Sequence, residues 1–478
     1  MINIRLLVQV ILLIAQGIFE ALRSVQKFEE LEERMQRLVQ RAALILLEEA
    51  LNQIDRRLCA ARDTKKLKVI GLRSRTVVTS FGELSFKRRL YRDTDTGEYR
   101  FLLDEALGLE ANRRVSHRMR ELILELGTEV PFRRAARILN LLVPGLGVMT
   151  VWSELQRAGE RAAAEAKSLR EAVFERGAEL GGSRKVDRLN IEADGVGIKL
   201  QRAEAKKGEL KLIVGYEGKE GKPKRLKNRR VVAGLVDGEA IWEEASCYFG
   251  GVWALGEVEQ VRIGGDGAEW IKENGKAYFP QASFHLDLFH LRRRLTEALS
   301  FSAECYEAVA DGIAALDREA VSLALARALK RAPSRPAKKR VRELATYLMS
   351  NWEGIAALPE EGRLGAIEGE VRHIIARRMK RIGARWTIPG GDRMARLLAH
   401  RANGELACYV GGRGFEEEVL RQAVGQEVID PGPKVRGEDP AAWLRAGVPI
   451  LAGPFAGRPF VKYVLRELVS LRRSYTGF

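Results

Sequence analysis

The stretch between residues 188 and 290 limits what this chain can fold into more than any other. Segments 188–200, 209–216 and 230–236 each have strand chemistry and are joined by Gly/Lys-rich connections. After them come a predicted helix at 252–259, a short strand at 261–264, a helix opening at Asp266-Gly267, a strand at 283–286 and a helix from Phe289. Three consecutive strands followed by alternating strands and helices imply a mixed sheet with helices on its faces. From about residue 288 to 381 the pattern is almost wholly helical, so an all-helical segment follows the sheet. The expected fold class is mixed α+β.

The chain ahead of the sheet has a different texture. Its first 22 residues are apolar but interrupted by Arg5, Gln9, Gln16 and Glu20, whereas a membrane span needs about 20 mostly apolar residues. The apolar periodicity continues through Phe28, Leu31, Met35, Leu38 and Leu46 among alternating charges. Residues 3–60 therefore read as one or two amphipathic helices that pack or dimerise, and no membrane partner is expected. Short β-like runs at 66–72, 75–80 and 84–91 follow, with Phe81-Gly82-Glu83 turning between the last two. Alternation puts Phe86, Arg88 and Leu90 on one face and Lys87, Arg89 and Tyr91 on the other. Lys87, Arg88 and Arg89 would either grip a phosphate backbone or form a solvated basic edge.

Helical runs at 116–126 and 131–142, a Pro144-Gly145-Leu146-Gly147 turn and a third helix from about Thr150 give a helix-turn-helix outline. In DNA-binding versions the helix after the turn enters the major groove by its first residues, here Thr150, Trp152 and Ser153. The resulting division is 1–64 (helices for oligomerisation or DNA binding), 65–160 (hairpin and helix-turn-helix-like DNA-binding region), 161–290 (first part of the core), 291–364 (helical insertion), 365–410 (last part of the core) and 411–478 (tail without assigned role).

Composition excludes a fibrous or disordered chain: 46% of residues are hydrophobic and 30% charged. The 478 residues carry a net charge of +17, which points to a polyanionic partner, nucleic acid before an anionic membrane. Four widely separated cysteines form neither a C-x-x-C pair nor a disulfide framework, so a reducing cytoplasm is expected. The basic run Lys219, Lys222, Lys224, Arg225, Lys227, Arg229 and Arg230 holds a single acid, Glu220. It is either solvated surface or, if placed beside Asp194, a track for a phosphate backbone.

Three acids stand where such an architecture can bring them together. Asp194 interrupts the apolar run of a strand, Asp266 follows a short buried strand, and Glu368 begins a helix. Carboxylates in these places suit a pair of Mg²⁺ or Mn²⁺ ions, which take hard oxygen ligands and leave positions for water and phosphate. The same acids would equally cap turns, pair with arginines or serve a helix dipole. A second cluster, His285-Leu286-Asp287-Leu288-Phe289-His290, is open to reading as a zinc or hydrolase site, as a structural brace, or as a pair standing behind the acids.

In order and spacing, these pieces resemble bacterial insertion-sequence transposases of the ISLre type, related to the Mutator-like superfamily. The resemblance rests on Phe28-Glu29-Glu30-Leu31-Glu32, Arg73-Ser74-Arg75-Thr76-Val77, Phe81 to Arg89, Glu192-Ala193-Asp194-Gly195, Gly265-Asp266-Gly267-Ala268-Glu269-Trp270, Leu286-Asp287-Leu288-Phe289-His290 and Glu368-Gly369-Glu370-Val371-Arg372-His373 through Trp386. It implies an RNase-H-like catalytic core with a helical insertion before the last acid. It makes Asp194, Asp266 and Glu368 a DDE triad on two metal ions, with Glu370 the competitor for the third place and Asp287 and His290 auxiliary. The implied activity is DNA transposition: recognition of terminal inverted repeats, strand cleavage, and strand transfer into target DNA, by at least a dimer in the bacterial cytoplasm at the nucleoid. A domesticated nuclease and a non-catalytic DNA-binding protein are the alternatives.

Overall fold

A computed structural model describes residues 4–24, 27–222, 224–357, 364–380 and 383–411. The tail at 412–478 lies outside the described residues, and so does its assignment.

Two helices come first, α1 (Ile4–Ser24) and α2 (Phe28–Ala61). They approach closely at Gly17, where a Cβ would stand 2.6 Å from the Leu38 side chain. By length and composition, Leu6–Arg23 of α1 is long and apolar enough to cross a membrane. Leu7, Val8, Ile11, Leu12, Phe19 and Leu22 of this helix are exposed. A three-stranded sheet follows: β1 (Leu67–Thr79), β2 (Gly82–Asp93) and β3 (Tyr99–Arg100), all antiparallel. The β1–β2 register shifts between Val69 and Gly71. The extra residue, Ile70, lies on β1, and alternation along β2 holds: Arg89 and Tyr91 face α2, where Arg89 pairs with Asp55, while Phe86 and Arg88 face the other way, toward Asp104.

Beyond α3 (Leu102–Ala106), the three-helix segment is α4 (His117–Glu129), α5 (Phe132–Leu142) and α6 (Val148–Arg170). Ser116 caps α4 by accepting the N–H of Met119. Helix α6 continues as a π-helical turn, Glu171–Glu175. These helices are not set apart from the core. Met119, Ile123, Leu139, Val151 and Leu155 share one apolar cluster with the central sheet.

That sheet is mixed. It contains β4 (Arg188–Lys199), β5 (Lys207–Tyr216), β8 (Arg230–Gly234), β9 (Gln260–Gly265) and β10 (Ser283–Leu286), with the short hairpin β6 (Gly218–Glu220) and β7 (Arg225–Lys227) outside it. Spatial order is β10-β9-β4-β5-β8; the pairs β4–β5 and β5–β8 are antiparallel, and β4–β9 and β9–β10 are parallel. The chain is thus a mixed α+β protein with a mixed sheet. A helix does precede β9, but it is α7 (Gly238–Gly250), opened by Asp237 accepting the Ala240 N–H. The expected helix at 252–259 is a 3-10 turn, Leu255–Glu257.

The remaining helices are α8 (Glu269–Tyr278), α9 (Leu288–Leu299), α10 (Ala303–Ala314), α11 (Arg318–Arg331), α12 (Arg335–Ser350), α13 (Trp352–Ala356), α14 (Ile367–Glu370), α15 (Arg377–Met379) and α16 (Ile388–Ala402). A π-helical stretch, Val371–Ala376, joins α14 to α15. Each sheet face carries its own core. Helices α4–α6 and α14–α16 cover Val196, Ile198, Leu212 and Val214; helices α7–α13 cover Ile191, Ala193, Ile213 and Ile263.

Candidate metal centre

Strand periodicity decides which side the chemistry faces. In β4, Ile191 and Ala193 point to the α7–α13 side, so Glu192 and Asp194 point to the side covered by α14. Parallel pairing aligns Glu192 with Gly264 and Gly265 with Leu286. Continued by the same spacing, it puts Asp194, Asp266 and Asp287 at neighbouring positions at the carboxyl ends of β9 and β10, the side of a sheet where ligand sites form.

Asp194 is buried, accepts the Gly195 N–H at 2.7 Å, and is joined by His290 and Glu368. The ligand atoms of these three residues lie within 4.8 Å of one another, although Glu368 is itself solvent-exposed. Burial pushes the Asp194 carboxyl up to about 6, against the pull of His290, and repulsion from Asp266 and Glu368 adds to the rise. His290 is raised above its ordinary value, first by its hydrogen bond to Asp287 and then by the charges of Asp194 and Asp266.

Asp287 does two things at once. One oxygen caps α9 by accepting the Phe289 N–H at 3.1 Å, and the other meets His290 Nδ1 at 2.8 Å. That leaves Nε2 as the ring atom available to the cluster, in the carboxylate–histidine pairing typical of metal-ligating imidazoles. Asp266 stands outside the tight group; its Oδ1 accepts the Ala268 N–H at 3.0 Å. The helical segment braces it: the Tyr347 hydroxyl donates to the Asp266 carbonyl at 2.9 Å. Gly267, at φ +89°, has room for no side chain, since a Cβ would meet Asn351 Oδ1 at 2.6 Å.

The two glutamates of α14 separate clearly. Glu368 joins the cluster, while Glu370 accepts from Arg229 Nη1 at 2.8 Å. Arg229 also donates to the Ala402 carbonyl.

Glu192 is the residue that sequence reasoning missed. It is 1% exposed, and its carboxylate accepts the N–H groups of Gly365, Ala366 and Ile367 at 2.8–3.1 Å, together with the Tyr216 hydroxyl. It therefore ties the start of the Glu368 helix to the strand that carries Asp194. The available signal was a second strand acid two positions before Asp194, on the same face.

The expected DNA contacts fare unevenly. Arg88 pairs with Asp104 at 2.7 Å and stacks over Phe101, and Arg89 pairs with buried Asp55, so of the three hairpin bases only Lys87 is exposed. These pairings are a correction to the basic-edge reading. The 219–230 run does not lie beside Asp194. The hairpin β6–β7 leaves β5 at Tyr216, which pairs with Asn190, and Asn190 is roughly 13 Å of strand from Asp194. Lys222, Lys224 and Arg225 are exposed there; Lys227 lies 3.9 Å from Glu217, and Arg230 donates to the Arg229 carbonyl. Trp152 is 41% exposed on the first turns of α6, with Thr150 and Ser153 half-buried beside it. Two exposed bases that were not singled out, Arg292 and Arg293, sit on α9 next to His290; Arg293 feels the charge of Glu368.

Fold and site define a mixed α+β protein with a carboxylate–imidazole cluster at the carboxyl ends of parallel strands. The family follows from comparison: residues 22–411 match the uncharacterised protein family UPF0236, and the chain belongs to it. UPF0236 protein TTE2489 of Caldanaerobacter subterraneus subsp. tengcongensis is 25% identical over 391 residues, covering 80% of this chain and 81% of that protein. The "UPF0236 protein in vanSb 3'region" of Streptococcus gallolyticus is 28% identical over 408 residues, covering 83% and 88%. A further Caldanaerobacter relative, 26% identical over 395 residues and covering 81% of each chain, has a name joining eleven locus designations. These matches correct the family assignment drawn from sequence motifs: both profile and relatives carry the UPF0236 name, not that of ISLre-type or Mutator-like transposases.

Proposed function

We propose that this UPF0236 protein is a DNA transposase that binds the terminal inverted repeats of its own element and performs metal-dependent strand cleavage and strand transfer. The observation that carries the reading is the convergence of Asp194, His290 and Glu368 from a strand and two helices distant in sequence. An RNase-H-like core belongs to the proposal. It is supported by an antiparallel run β4-β5-β8 followed by parallel β9 and β10 on the other side of β4, with Asp266 and Asp287 just past the ends of β9 and β10 and Asp194 beside them on β4.

The donor set fits a divalent cation. Asp194 and Glu368 offer hard oxygens and His290 a borderline nitrogen, which suits Mn²⁺ as well as Mg²⁺. A buried carboxyl raised to about 6 is a group whose charge a cation would stabilise. Asp194, Glu368 and His290 would hold one ion, and Asp266 would help hold a second. Bound there, the pair supplies Lewis acidity and lowers the pKa of the attacking hydroxyl. The chain's own residues do the rest: Asp287 fixes the His290 ring, Glu192 fixes the Glu368 helix, and Arg293, one helical turn beyond His290, would meet incoming phosphates.

Net charge of +17 supports a DNA partner. The multi-locus names of two relatives, eleven loci in one and four in another, support a self-copying element, because such copies accumulate within one genome. The test is incubation of the full chain with Mg²⁺, a plasmid carrying the DNA that flanks its gene, and a second target plasmid. Cleavage at the element boundaries and joining to the target are expected. Cleavage without joining would leave a nuclease; a folded, DNA-binding chain that cuts nothing in Mg²⁺ or Mn²⁺ would refute the proposal.

The exposed apolar side chains of α1 support a homo-oligomer. Deleting residues 1–24 is expected to lower the mass seen by light scattering to that of a monomer. An unchanged mass would remove α1 from the interface.

A further inference from the structure

Beneath the helix-turn-helix-like segment lies a cavity of about 760 Å³, distinct from the acidic cluster. Three helices of eleven or more residues begin at it. Pro131 and Phe132 open α5, Met149 and Trp152 stand on the first turns of α6, and Thr387 and Gly390 open α16, with Thr387 Oγ1 accepting the Gly390 N–H at 3.1 Å. Helix N-termini carry partial positive charge and favour anions. Arg134, Arg202, Arg377, Arg378 and Arg385 also line the cavity, against one acid, Glu129. Glu129 is already shared between Arg377 and Arg401.

Arg378 is the telling residue. It is 8% exposed, and its Nε donates to the Gly127 carbonyl at 3.0 Å. Its guanidinium lies over the rings of Phe132 (5.0 Å) and Trp386 (5.3 Å). Yet its Nη2 is buried with no hydrogen-bond partner among the described residues. A buried guanidinium nitrogen left unpaired is costly, and an anion bound at the cavity removes that cost. The nearby indole of Trp152, exposed at the rim, offers a stacking face of the kind that unpaired bases use.

We propose that this cavity binds one unpaired nucleotide of the DNA substrate, its phosphate at Arg378 where the three helix N-termini meet and its base on Trp152. The inference rests on the DNA-processing reading above. The site lies about 15 Å along the helical run from Glu368 to Arg378, so the nucleotide held is near the reacting phosphodiester, not at it.

The test is equilibrium binding of the full chain, in EDTA so that no cleavage occurs, to a blunt duplex and to the same duplex with a short 3′ overhang. The overhang duplex is expected to bind about tenfold tighter, the scale of one stacked base. In Trp152→Ala, and in Arg202→Ala/Arg385→Ala, which removes two exposed arginines that line the cavity, that ratio is expected to fall to near one. Arg378→Lys is the third variant, interpreted only if its Tm shows that it folds. Equal binding of both duplexes by the wild type, a ratio unchanged in the exposed-residue variants, or equal competition by inorganic phosphate at matched ionic strength would each overturn this proposal while leaving the DNA-processing reading standing. Absence of binding to any DNA would overturn both.

Discussion

Asp194→Asn is expected to lower Mg²⁺-dependent DNA cleavage by roughly 10³-fold or more while leaving DNA binding within about threefold. Glu368→Gln should behave in the same way. Glu370→Gln, which only loses the Arg229 ion pair, should stay close to wild type in cleavage. A second readout separates a metal ligand from a structural acid. Burial holds the Asp194 carboxyl at about 6 in the folded chain, above its ordinary value near 4. The folded state therefore binds this proton more tightly than the unfolded state does. The stability that comes with the proton is fully present below about pH 4 and is lost as pH rises through about 6. Without divalent ions, Asp194→Asn should be more stable than wild type at pH 7 by about 3 kcal/mol, with the gap closing toward pH 4. Mn²⁺ or Mg²⁺ should raise the melting temperature of the wild type and not of the variant. Because His290 is also raised, cation binding displaces protons and should strengthen as pH rises past 6. Cleavage unchanged in both Asp194→Asn and Glu368→Gln, in folded protein, would leave a DNA-binding protein with structural acids.

Glu192→Ala is expected to give the second-largest loss. Three N–H groups at the start of α14 and the Tyr216 hydroxyl would lose their acceptor inside the protein. Stranding buried donors of this kind costs on the order of 3 kcal/mol. Activity should fall more than stability alone explains, because a displacement of about 1 Å in a catalytic group can cost roughly 10²-fold. Glu192→Gln keeps an acceptor oxygen and the shape, so it should recover most of the stability but only part of the turnover. Thermal melts and metal titrations on both variants check this. If Glu192→Ala retained wild-type cation affinity and cleavage, Glu192 would be a core residue with no bearing on the site.

The strands and the acids were legible in the sequence because both are local signals. Apolar alternation marks β4 and continuous apolar runs mark β5 and β8, and a carboxylate inside such a run stands out. What was not legible depends on partners far away in the chain. Arg88 and Arg89 look like a basic edge until Asp104 and Asp55 are seen to pair with them. Glu192 looks like a neighbour of Asp194 until Gly365–Ile367 arrive at its carboxylate. The misplaced helix before β9 has a local cause. Asp237 is a good N-cap, and Gly250-Gly251 ends the helix it starts, so the apolar residues at 252–259 come too late to belong to it. The choice between Glu368 and Glu370 needed the helix's orientation, which the pairing of Glu370 with Arg229 at the start of β8 reveals.

The long helical excursion α9–α13 stands between the strand end that bears Asp287 and the helix α14 that bears Glu368. A ribosome therefore releases both aspartates and His290 well before the last acid emerges, and a prematurely terminated chain ends with its ligand set incomplete. On the proposed reading, a fragment ending before Glu368 would lack the third ligand, and metal-dependent cleavage would begin only once about three quarters of the polypeptide had been made.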